Sequence, residues 1–337
     1  MKIVAITAPG TASLIEQPDP APRDDFAVVR VDVAPTCTEY KQFFGGGTAA
    51  GLGHEAAGEV VAVARPGRVR PGDRVVVMPQ TGCGRCAPCL SGAYIHCQQA
   101  PAVATPTYAQ YVLKQDWLLV PVPPGMALRH AALACCGLGP TFGALRRMGL
   151  RPADTLVITG LGPVGLGGVI GGVAAGARVI GVESQPYRAR LALDLGAEAV
   201  VDPTQPDAAA HIRDRTGGGA DRGVDCSGSP QGQRLLIDAV RRLGHVAFIG
   251  EGGDLTLHVS RDLLRKGLTL HGSWHYNLSE APALLGWIGR LAPVLDRFIT
   301  HVLPMERFRE AWAVQARGDC GKVLLEPWGA GGGQTDP

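Results

Sequence analysis

Four cysteines within one short segment have the spacing of a metal site. They form the pattern C-x2-C-x2-C-x7-C and are Cys83, Cys86, Cys89 and Cys97. Four thiolates can enclose one tetrahedral zinc ion, and glycines at 82, 84 and 92 permit tight turns between them. An iron–sulfur cluster is the alternative, but in the bacterial ferredoxin run the fourth cysteine follows after three residues and precedes a proline. Here the gap is seven residues and Gln98 follows. We therefore predict a structural zinc ion, with no open coordination position, in a lobe of residues 82–98.

A second set of metal-binding residue types is spread along the chain. Cys37, the pair His54–Glu55 and Cys136 each have an ordinary explanation in packing when they are taken alone. Together, two thiolates and one imidazole form a Cys2His set, which leaves a fourth position on a zinc ion for water or a substrate. Zinc in such a site acts as a Lewis acid toward a hydroxyl group. Glu55 would stand behind the ligands and either tune them or transiently replace one. We predict a catalytic zinc ion held by Cys37, His54 and Cys136, and so two zinc ions per chain.

A glycine-rich turn in the middle of the chain is typical of a dinucleotide site. It follows a predicted strand, precedes a predicted helix and reads Gly160-Leu161-Gly162-Pro163-Val164-Gly165. Glycines of a G-x-G-x-x-G turn let the backbone approach a pyrophosphate, which rests on the N-terminus of the helix.

An acidic residue at the end of the next predicted strand indicates which nucleotide this turn would bind. Glu183 lies 23 positions after Gly160, where a carboxylate accepts hydrogen bonds from a ribose 2′-hydroxyl and repels a 2′-phosphate. This favours NAD over NADP. Arg188 leaves NADP open, because its guanidinium could contact a phosphate.

The elements that must position these residues change character along the chain. From residue 1 to about 107, short β-branched runs alternate with proline, glycine and aspartate turns, which indicates a small β-barrel domain. From Pro152, strands alternate with helices, which is typical of a parallel, doubly wound sheet. Two helices and a closing strand after Trp274 return to the first domain. The predicted strands are 27–33, 58–63, 74–78, 155–159, 178–182, 199–201, 246–249 and 322–325, and the predicted helices begin at Pro163 and Pro186, span 281–291 and lie near 305–316. A disordered tail is predicted from Gly329.

Length and composition limit the classes of protein and partner. A chain of 337 residues exceeds the usual size of one hydrophobic core, so two domains are expected. The net charge is only +2 and the arginines are scattered, which disfavours nucleic acid as a partner. Pro9 and Gly10 interrupt the N-terminus too early for a signal peptide, and no apolar run approaches the roughly 20 residues of a membrane span. Nine cysteines in such a chain favour metal binding in a reducing compartment, so we predict a cytoplasmic protein.

These motifs resemble those of the medium-chain dehydrogenase/reductase superfamily, in its zinc-containing branch of alcohol, polyol and threonine dehydrogenases. The resemblance extends to about residue 327. Further matching segments are the turn Pro71-Gly72-Asp73-Arg74-Val75, residues 107–111 at the closure of the barrel, Val224-Asp225-Cys226-Ser227-Gly228 beside the nucleotide, and Gly321-Lys322-Val323 in the last strand.

The resemblance implies an α/β protein with a GroES-like β-barrel catalytic domain and a Rossmann, doubly wound cofactor domain. Residues 1–138 and 275–337 would form the catalytic domain, and residues 139–274 would bind NAD, with Cys226 among the cofactor-binding residues. The family also implies an active site in the cleft between the domains, a small-molecule alcohol or carbonyl substrate, and a homodimer or homotetramer. Counting back from Gly149 places Cys136, rather than Cys135, at the position of the third metal ligand.

The segment after the first ligand departs from the family pattern. The family has C-G-[ST]-D, whose hydroxyl passes the substrate proton toward solvent, whereas this chain has Cys37-Thr38-Glu39-Tyr40. Glu39 thus stands where the hydroxyl is expected, and Tyr40 where aspartate is expected. A carboxylate can act as a general base when its pKa is tuned, so Glu39 or Thr38 is the predicted exit for the substrate proton. Glu39 could equally approach the zinc ion, bind a substrate hydroxyl or amine, or lie on the surface.

The predicted activity is that of a zinc-dependent alcohol dehydrogenase that transfers a hydride between a hydroxyl group and NAD. A polar pocket containing Glu39, Tyr40 and His275, with Tyr108 in its lining, favours a polyol, amino alcohol, sugar or cyclitol as substrate. The alternatives are a carbonyl reductase that uses NADPH and a non-catalytic NAD-binding member of the fold. The complete ligand set disfavours a zinc-free quinone reductase.

Overall fold

A computed structural model describes residues 1–329, which divide into two compact units. The first unit contains Met1–Cys136 and the chain from Asn277 onward, and the second contains Gly137–Tyr276. The predicted domain boundaries, 138/139 and 274/275, lie two residues from these divisions. The tail predicted to be disordered falls, after Gly329, outside the described residues.

Strands form the sheets of the first unit and the central sheet of the second. In chain order they are β1 (Lys2–Ala8), β2 (Thr11–Glu16), β3 (Phe26–Pro35), β4 (Ala56–Val63), β5 (Arg74–Val77), β6 (Tyr111–Gln115), β7 (Leu119–Pro121), β8 (Thr155–Thr159), β9 (Arg178–Val182), β10 (Ala199–Val201), β11 (Ala220–Asp225), β12 (Val240–Phe248), β13 (Thr269–Gly272), β14 (Ile299–Pro304) and β15 (Lys322–Glu326).

The helices of the first unit have four to ten residues, and those of the second have eight to twelve. The α-helices are α1 (Glu39–Phe44), α2 (Ala87–Leu90), α3 (Leu128–Ala131), α4 (Gly139–Arg147), α5 (Pro163–Ala174), α6 (Pro186–Asp194), α7 (Ala208–Arg215), α8 (Pro230–Ala239), α9 (Ala281–Arg290), α10 (Ala292–Phe298) and α11 (Phe308–Arg317). A π-helical turn spans Val259–Leu264, and 3-10 turns span Tyr94–His96, Asp116–Leu118, Ala132–Ala134, Leu278–Glu280 and Met305–Arg307. None of the helices within residues 1–329 combines the length and apolar character that a membrane-spanning segment needs.

The main sheet of the first unit is organised around the long, valine-rich strand β3. Its strand order is β14-β15-β3-β4-β5-β7, and β6 also pairs with β3. Valine is branched at Cβ and fits a pleated, buried surface, so β3 forms a strand along its whole length. The inward side chains of these strands pack with Phe308 and Trp312 of α11 in one core.

Strand pairing brings three distant chain segments to one end of this sheet. The end of β3 pairs antiparallel with the start of β4, where Val33 lies opposite Ala57, and with β15, where Leu324 lies opposite Pro35. The residues just after β3, just before β4 and at the start of β15 are therefore neighbours. Cys37, the His54–Glu55 pair and Lys322 occupy these three places.

The second unit is a parallel sheet with the strand order β10-β9-β8-β11-β12-β13. All five residues of β8 are buried, as expected for a parallel strand that is covered on both faces. The glycines of α5 let this helix approach its neighbours closely. A Cβ atom at Gly167 would lie 1.8 Å from the carbonyl oxygen of Gly137, and one at Gly172 would lie 2.7 Å from Leu156 Cδ2.

The predicted elements are confirmed where the sequence pattern is regular. The strands at 155–159, 178–182 and 199–201 and the helices beginning at Pro163 and Pro186 have the predicted bounds. The strand predicted at 246–249 is longer and begins at Val240, because β12 continues through a register shift opposite β11. The helix predicted near 305–316 opens with a 3-10 turn before α11.

Replacing Gly167 by alanine should destabilise the protein, by about 1–3 kcal/mol or more, because a methyl group would overlap the Gly137 carbonyl oxygen. The matched control is Gly286→Ala in α9, where no atom lies within 4 Å of the added Cβ. There alanine should stabilise the protein by about 0.5–1 kcal/mol through higher helix propensity. Urea denaturation followed by circular dichroism measures both changes, and equal effects of the two substitutions would contradict the close approach of α5.

Candidate active site, metal centres and cofactor loop

The four-cysteine lobe brings its sulfur atoms into one cluster. The Sγ atoms of Cys83, Cys86, Cys89 and Cys97 all lie within 4.8 Å of one another. Cys86 and Cys97 are separated by 3.7 Å, and Cys83 and Cys89 by 4.0 Å, between their sulfurs. Four sulfurs at ~2.3 Å from one tetrahedral zinc ion stand about 3.8 Å from each other. The cluster therefore fits a zinc ion held by four thiolates.

Backbone N–H groups around the lobe favour the thiolate form that binds metals. The N–H groups of Cys83 and Gln99 each donate to Cys97 Sγ at 3.3 Å, and the N–H of Cys86 donates to Cys83 Sγ at 3.3 Å. Hydrogen bonds from the N–H groups of Arg85 and Cys86 lower the pKa of the Cys83 thiol to about 6, although burial opposes this. The loop thus stabilises negative charge on Cys83, whereas burial and the neighbouring sulfurs raise the pKa of the Cys89 thiol to about 12.

The residues of the second metal site also converge, within the first unit. Cys37 follows β3, His54 and Glu55 precede β4, and Cys136 follows the 3-10 turn at Ala132–Ala134. One ligand atom from each of these four side chains lies within 4.8 Å of the others. Gln315 of α11 donates to the carbonyl oxygen of Cys37 at 3.0 Å and fixes the backbone there.

The imidazole of His54 has a defined orientation in this site. Its Nε2 atom lies 3.2 Å from Cys136 Sγ and 4.0 Å from an oxygen of Glu55. Its Nδ1 atom, on the other side of the ring, lies 2.8 Å from Oε1 of Glu39. Nε2 therefore faces Cys136, and Nδ1 faces the carboxylate of Glu39.

The Glu39 side chain contacts His54 and Tyr108, whereas Thr38 is exposed. Oε2 of Glu39 accepts hydrogen bonds from the backbone N–H of Cys37 at 2.9 Å and from the hydroxyl of Tyr108 at 2.6 Å. Thr38 is exposed at the N-cap of α1, and its side chain makes no capping hydrogen bond. Tyr40 packs against the hydrophobic core of the first unit. His275 belongs to the second unit, so the polar pocket predicted from Glu39, Tyr40 and His275 stays a prediction.

A buried ion pair stands behind the ligands. Lys322 Nζ donates to Oε1 of Glu55 at 2.8 Å, and the side chains are 1% and 0% exposed. Oε2 of Glu55 accepts a hydrogen bond from the backbone N–H of Cys136 at 3.1 Å. Glu55 thus connects the second cysteine ligand to β15. The sequence pattern does not indicate this role, since Lys322 appears there only within the matching segment Gly321-Lys322-Val323. The available signal is a lysine directly before the apolar run Val323-Leu324-Leu325.

The pKa shifts show that the site is rich in negative charge. Burial alone would lower the pKa of His54, but Cys37 and Glu39 raise it to about 11. Burial alone would raise the pKa of Glu39, but His54 and Tyr108 lower it to about 2. Burial raises the pKa of Glu55 to about 7, against the opposing charge of Lys322. Two sulfurs and one imidazole nitrogen in such surroundings are a donor set that suits a divalent zinc ion.

A cavity of about 570 Å³ in the first unit opens beside His54. Its lining also includes the polar residues Gln17, Gln80, Thr81, Thr105 and Tyr111. Arg23 also borders the cavity. A hydroxyl-rich small molecule would find both donors and acceptors on these walls.

The glycine-rich turn of the second unit has the close approaches that require glycine. Gly160 has a φ of +78°, and a Cβ there would lie 2.7 Å from Ser227. A Cβ at Gly165 would lie 2.0 Å from the carbonyl oxygen of Gly160. At Gly162, the N-cap of α5, an added Cβ would have open space within 4 Å. Pro163 and Val164 then begin α5, so its free N–H groups are available to an anion.

Glu183 lies beside this turn, as its position in the sequence predicts. One oxygen accepts a hydrogen bond from the N–H of Leu161 at 2.8 Å, and the other accepts from Ser184 and Gln185 at 2.9 Å each. Arg188 is half-buried in α6, the next helix. The carboxylate therefore stands at the edge of the loop that would receive a nucleotide.

A buried carboxylate that sequence reasoning did not single out holds the neighbouring strand ends together. Asp225 accepts hydrogen bonds from the hydroxyl of Thr159 at 2.9 Å and from the hydroxyl of Ser227 at 2.6 Å. Gln233 Nε2 also donates to it, at 3.3 Å. Cys226 follows directly and lies against Gly165, since its Cβ is 3.5 Å from the position of a Cβ there. The ends of β8 and β11 are thus tied to the glycine-rich turn.

Comparisons with known proteins agree with the two-part fold. A model of the alcohol dehydrogenase GroES-like domain matches residues 23–124, and a model of zinc-binding dehydrogenases matches residues 163–290. The chain is 33% identical over 288 residues to the uncharacterized zinc-type alcohol dehydrogenase-like protein YphC of Escherichia coli, covering 81% of this chain and 80% of YphC. It is 31% identical to L-threonine 3-dehydrogenase of Symbiobacterium thermophilum over 94% of each chain.

A solved structure supports the same assignment. Alcohol dehydrogenase TADH from Thermus sp. ATN1 superimposes with a TM-score of 0.89 at 26% identity, over 97% of this chain and 99% of that one. The predicted α/β fold, with a GroES-like β-barrel domain and a Rossmann domain, is confirmed by these matches.

Replacing Lys322 by methionine should lower the free energy of unfolding by about 3–5 kcal/mol, because the buried Glu55 carboxylate would lose its counter-charge. The double substitution Glu55→Gln with Lys322→Met should recover a large part of this loss, since neither charge then remains. Urea denaturation of the single and double variants gives the coupling energy. Additive losses would show that the pair is not coupled.

Proposed function

The chain belongs to the zinc-type alcohol dehydrogenase family of the medium-chain dehydrogenases, and we propose that it is an enzyme that transfers a hydride between a small hydroxyl compound and NAD. The observation that carries this proposal is the convergence of Cys37, His54 and Cys136. Of these three residues, His54 also borders the cavity. A Cys2His set leaves one position of a tetrahedral zinc ion open, whereas the four-cysteine set does not.

The two ligand sets therefore have different proposed roles. We assign Cys37, His54 and Cys136 to a catalytic zinc ion, and we assign Cys83, Cys86, Cys89 and Cys97 to a structural one. When bound, the catalytic zinc supplies Lewis-acid chemistry that makes a hydroxyl more acidic, and NAD supplies the hydride acceptor.

The chain's own residues have distinct tasks at this site. Glu55 and Lys322 anchor the backbone of Cys136 from behind, and Glu39 contacts the outer nitrogen of His54. Thr38, exposed at the N-cap of α1, supplies a hydroxyl directly after the first ligand, and we propose it as a route for the proton. The cavity beside His54 gives a substrate polar walls on which to orient its other hydroxyl groups.

We propose that the glycine-rich turn binds NAD rather than NADP. Gly160, Gly162 and Gly165 would admit the pyrophosphate, Pro163 and Val164 open the helix on which it rests, and Cys226 flanks the turn. The carboxylate of Glu183 beside Leu161 supports NAD, because it would accept hydrogen bonds from a 2′-hydroxyl and repel a 2′-phosphate. Arg188 on α6 is proposed to stand beside the same ribose.

The proposed substrate class is a polyol or an amino alcohol. Similar proteins include the L-threonine 3-dehydrogenase named above, sorbitol dehydrogenase of Bacillus subtilis and D-arabitol-phosphate dehydrogenase of Enterococcus avium. The glutamine, threonine and tyrosine side chains around the cavity suit a compound with several hydroxyl groups. A screen of NAD reduction over polyols, amino alcohols, sugars and cyclitols tests the class, and activity confined to simple alkanols would contradict it.

Domain roles, assembly and location complete the proposal. Residues 1–138 and 275–337 are proposed as the catalytic domain, and residues 139–274 as the NAD-binding domain. We propose a homodimer or homotetramer, because β13 is an edge strand of the described sheet and an unpaired strand edge can pair with a second copy. We propose a cytoplasmic location, since two thiolate ligand sets need reduced cysteines.

The vicinal cysteines offer a direct test of the catalytic assignment. Cys136→Ser should reduce the zinc content from about two ions per chain to about one and abolish turnover, because a hydroxyl is a poor substitute for a thiolate ligand. Cys135→Ser is the matched control. Cys135 is buried, and its thiol donates a hydrogen bond to the carbonyl oxygen of Val77 at 3.4 Å. It should retain both ions. Metal analysis and NAD reduction measure the two effects, and loss of zinc in Cys135→Ser alone would reverse the assignment.

Glu183→Gln tests the nucleotide preference. The amide keeps an oxygen that can accept a hydrogen bond from the N–H of Leu161, but it removes the negative charge. The ratio of kcat/KM for NAD to kcat/KM for NADP should therefore fall about 10-fold, which corresponds to ~1.4 kcal/mol. Glu198→Gln, on an exposed side chain of the same unit, should leave the ratio unchanged. An unaltered ratio in Glu183→Gln would exclude this carboxylate as the discriminating group.

A further inference from the structure

The segment of residues 77–82 connects β5 to the four-cysteine lobe, and part of it borders the cavity beside His54. Gln80 and Thr81 both line this cavity. Gln80 is exposed, and its backbone φ is +58°, in the left-handed region that is unfavourable for a residue with a side chain. Contacts from the surrounding structure must therefore hold Gln80 in this conformation.

Two buried side chains hold the segment on either side of Gln80. The Tyr94 hydroxyl donates to the carbonyl oxygen of Pro79 at 2.8 Å. Gln115 of β6 binds the backbone of Gly82 through both atoms of its amide. Its Nε2 donates to the carbonyl oxygen of Gly82 at 2.8 Å, and its Oε1 accepts from the N–H of Gly82 at 3.3 Å. The backbone before and after Gln80 is thus fixed from the protein interior.

Lys114, also on β6, holds Gln80 itself. It is only 1% exposed, and its Nζ donates to the carbonyl oxygen of Gln80. Within residues 1–329 no carboxylate forms an ion pair with Lys114, and burial lowers its pKa to about 7 against the opposing effect of Cys135. The ammonium and the neutral amine both carry N–H groups, so either form can donate to this carbonyl. An apolar side chain would fill the same place at a lower cost of burial, so stability alone does not account for a lysine here.

The side-chain amide of Gln80 remains available to a ligand. In the part of the chain that the structure describes, this amide has no hydrogen-bond partner. A primary amide can donate to a hydroxyl group and can also accept from one. His54, a proposed ligand of the catalytic zinc ion, borders the same cavity. A compound with several hydroxyl groups that reacts beside His54 would therefore have a second hydroxyl within the cavity that Gln80 lines.

We propose that Gln80 binds a substrate hydroxyl group other than the reacting one, and that Lys114 is the positioning residue that keeps Gln80 in place for this contact. The inference rests on the proposed function and deepens it, because it names the side chain that selects substrates with more than one hydroxyl group. Lys114 is not among the residues that line the cavity, so it acts through the backbone of Gln80.

The Michaelis constant tests this proposal, with the polyol of highest kcat/KM in the screen above as the probe. Gln80→Ala and Lys114→Met should each raise KM by about 3–10-fold and leave kcat within about twofold, because each removes one hydrogen bond made equally in the ground state and the transition state. The double variant should have no higher KM than the worse single variant, since Lys114 acts through Gln80. Among monodeoxy analogues of the same polyol, one should have a raised KM in the wild type and show no further rise in Gln80→Ala.

Lys266 in the second unit provides the matched control. Its Nζ donates to the carbonyl oxygen of Ile237, and burial likewise lowers its pKa. Lys266→Met removes a similar contact away from the cavity and should leave KM unchanged. The zinc content of every variant should equal that of the wild type, which shows that the two metal sites are intact.

A crystal structure of Lys114→Met gives a readout that does not depend on turnover. Gln80 should leave the left-handed region, and its side chain should move from the cavity wall. An unchanged Gln80 in that crystal, or a KM that does not rise in Gln80→Ala, would overturn the proposal, as would a fall in kcat alone. If Lys114→Met does not fold, the exposed substitution Gln80→Ala still decides. If the wild-type chain oxidises no polyol, the proposed function fails and the binding role of Gln80 with it, whereas the crystal structure still tests whether Lys114 holds Gln80.

Discussion

The candidate active site depends on the orientation of one imidazole ring. His54 is contacted by Glu39 at Nδ1 and by Cys136 at Nε2, so a rotation of the ring would break both contacts at once. The ring can be held because the end of β3, the start of β4 and the start of β15 meet at one end of a sheet. Their pairing brings Cys37, His54 and Lys322 together although they are far apart in the chain, and the Glu55–Lys322 ion pair then fixes the backbone of Cys136.

Burial strengthens the attraction within these ion pairs and also removes the water that would otherwise solvate each charge. Glu55 and Lys322 have almost no exposure, so each requires the other as a partner. The concentration of anionic groups raises the pKa of His54 and is balanced when a divalent cation binds among them. In the second unit, Asp225 has a comparable role without a metal: hydrogen bonds from Thr159, Ser227 and Gln233 satisfy it and hold the strand ends next to the glycine-rich turn.

Sequence reasoning was most successful where spacing alone determines the geometry. The cysteine lobe and the turn between Gly160 and Gly165 are local, so their residue intervals limit what they can form, and Glu183 follows from the regular strand–helix alternation. The sequence does not determine the direction of individual side chains. Glu39 was placed correctly next to the first ligand, but nothing in the order of residues shows that it turns toward His54 and Tyr108. Lys322 was missed as a partner of Glu55 because their 267-residue separation is closed only by strand pairing.

We propose that Cys37, His54 and Cys136 hold one zinc ion, and Nδ1 of His54 faces Glu39. Anomalous diffraction from a crystal of the zinc-loaded protein, recorded on both sides of the zinc absorption edge, measures this directly. We expect two peaks per chain, one inside the four-cysteine lobe and one bounded by the two cysteine sulfurs and His54 Nε2, with Glu39 against Nδ1. A single peak in the cysteine lobe, or a second peak next to Nδ1, would contradict the account.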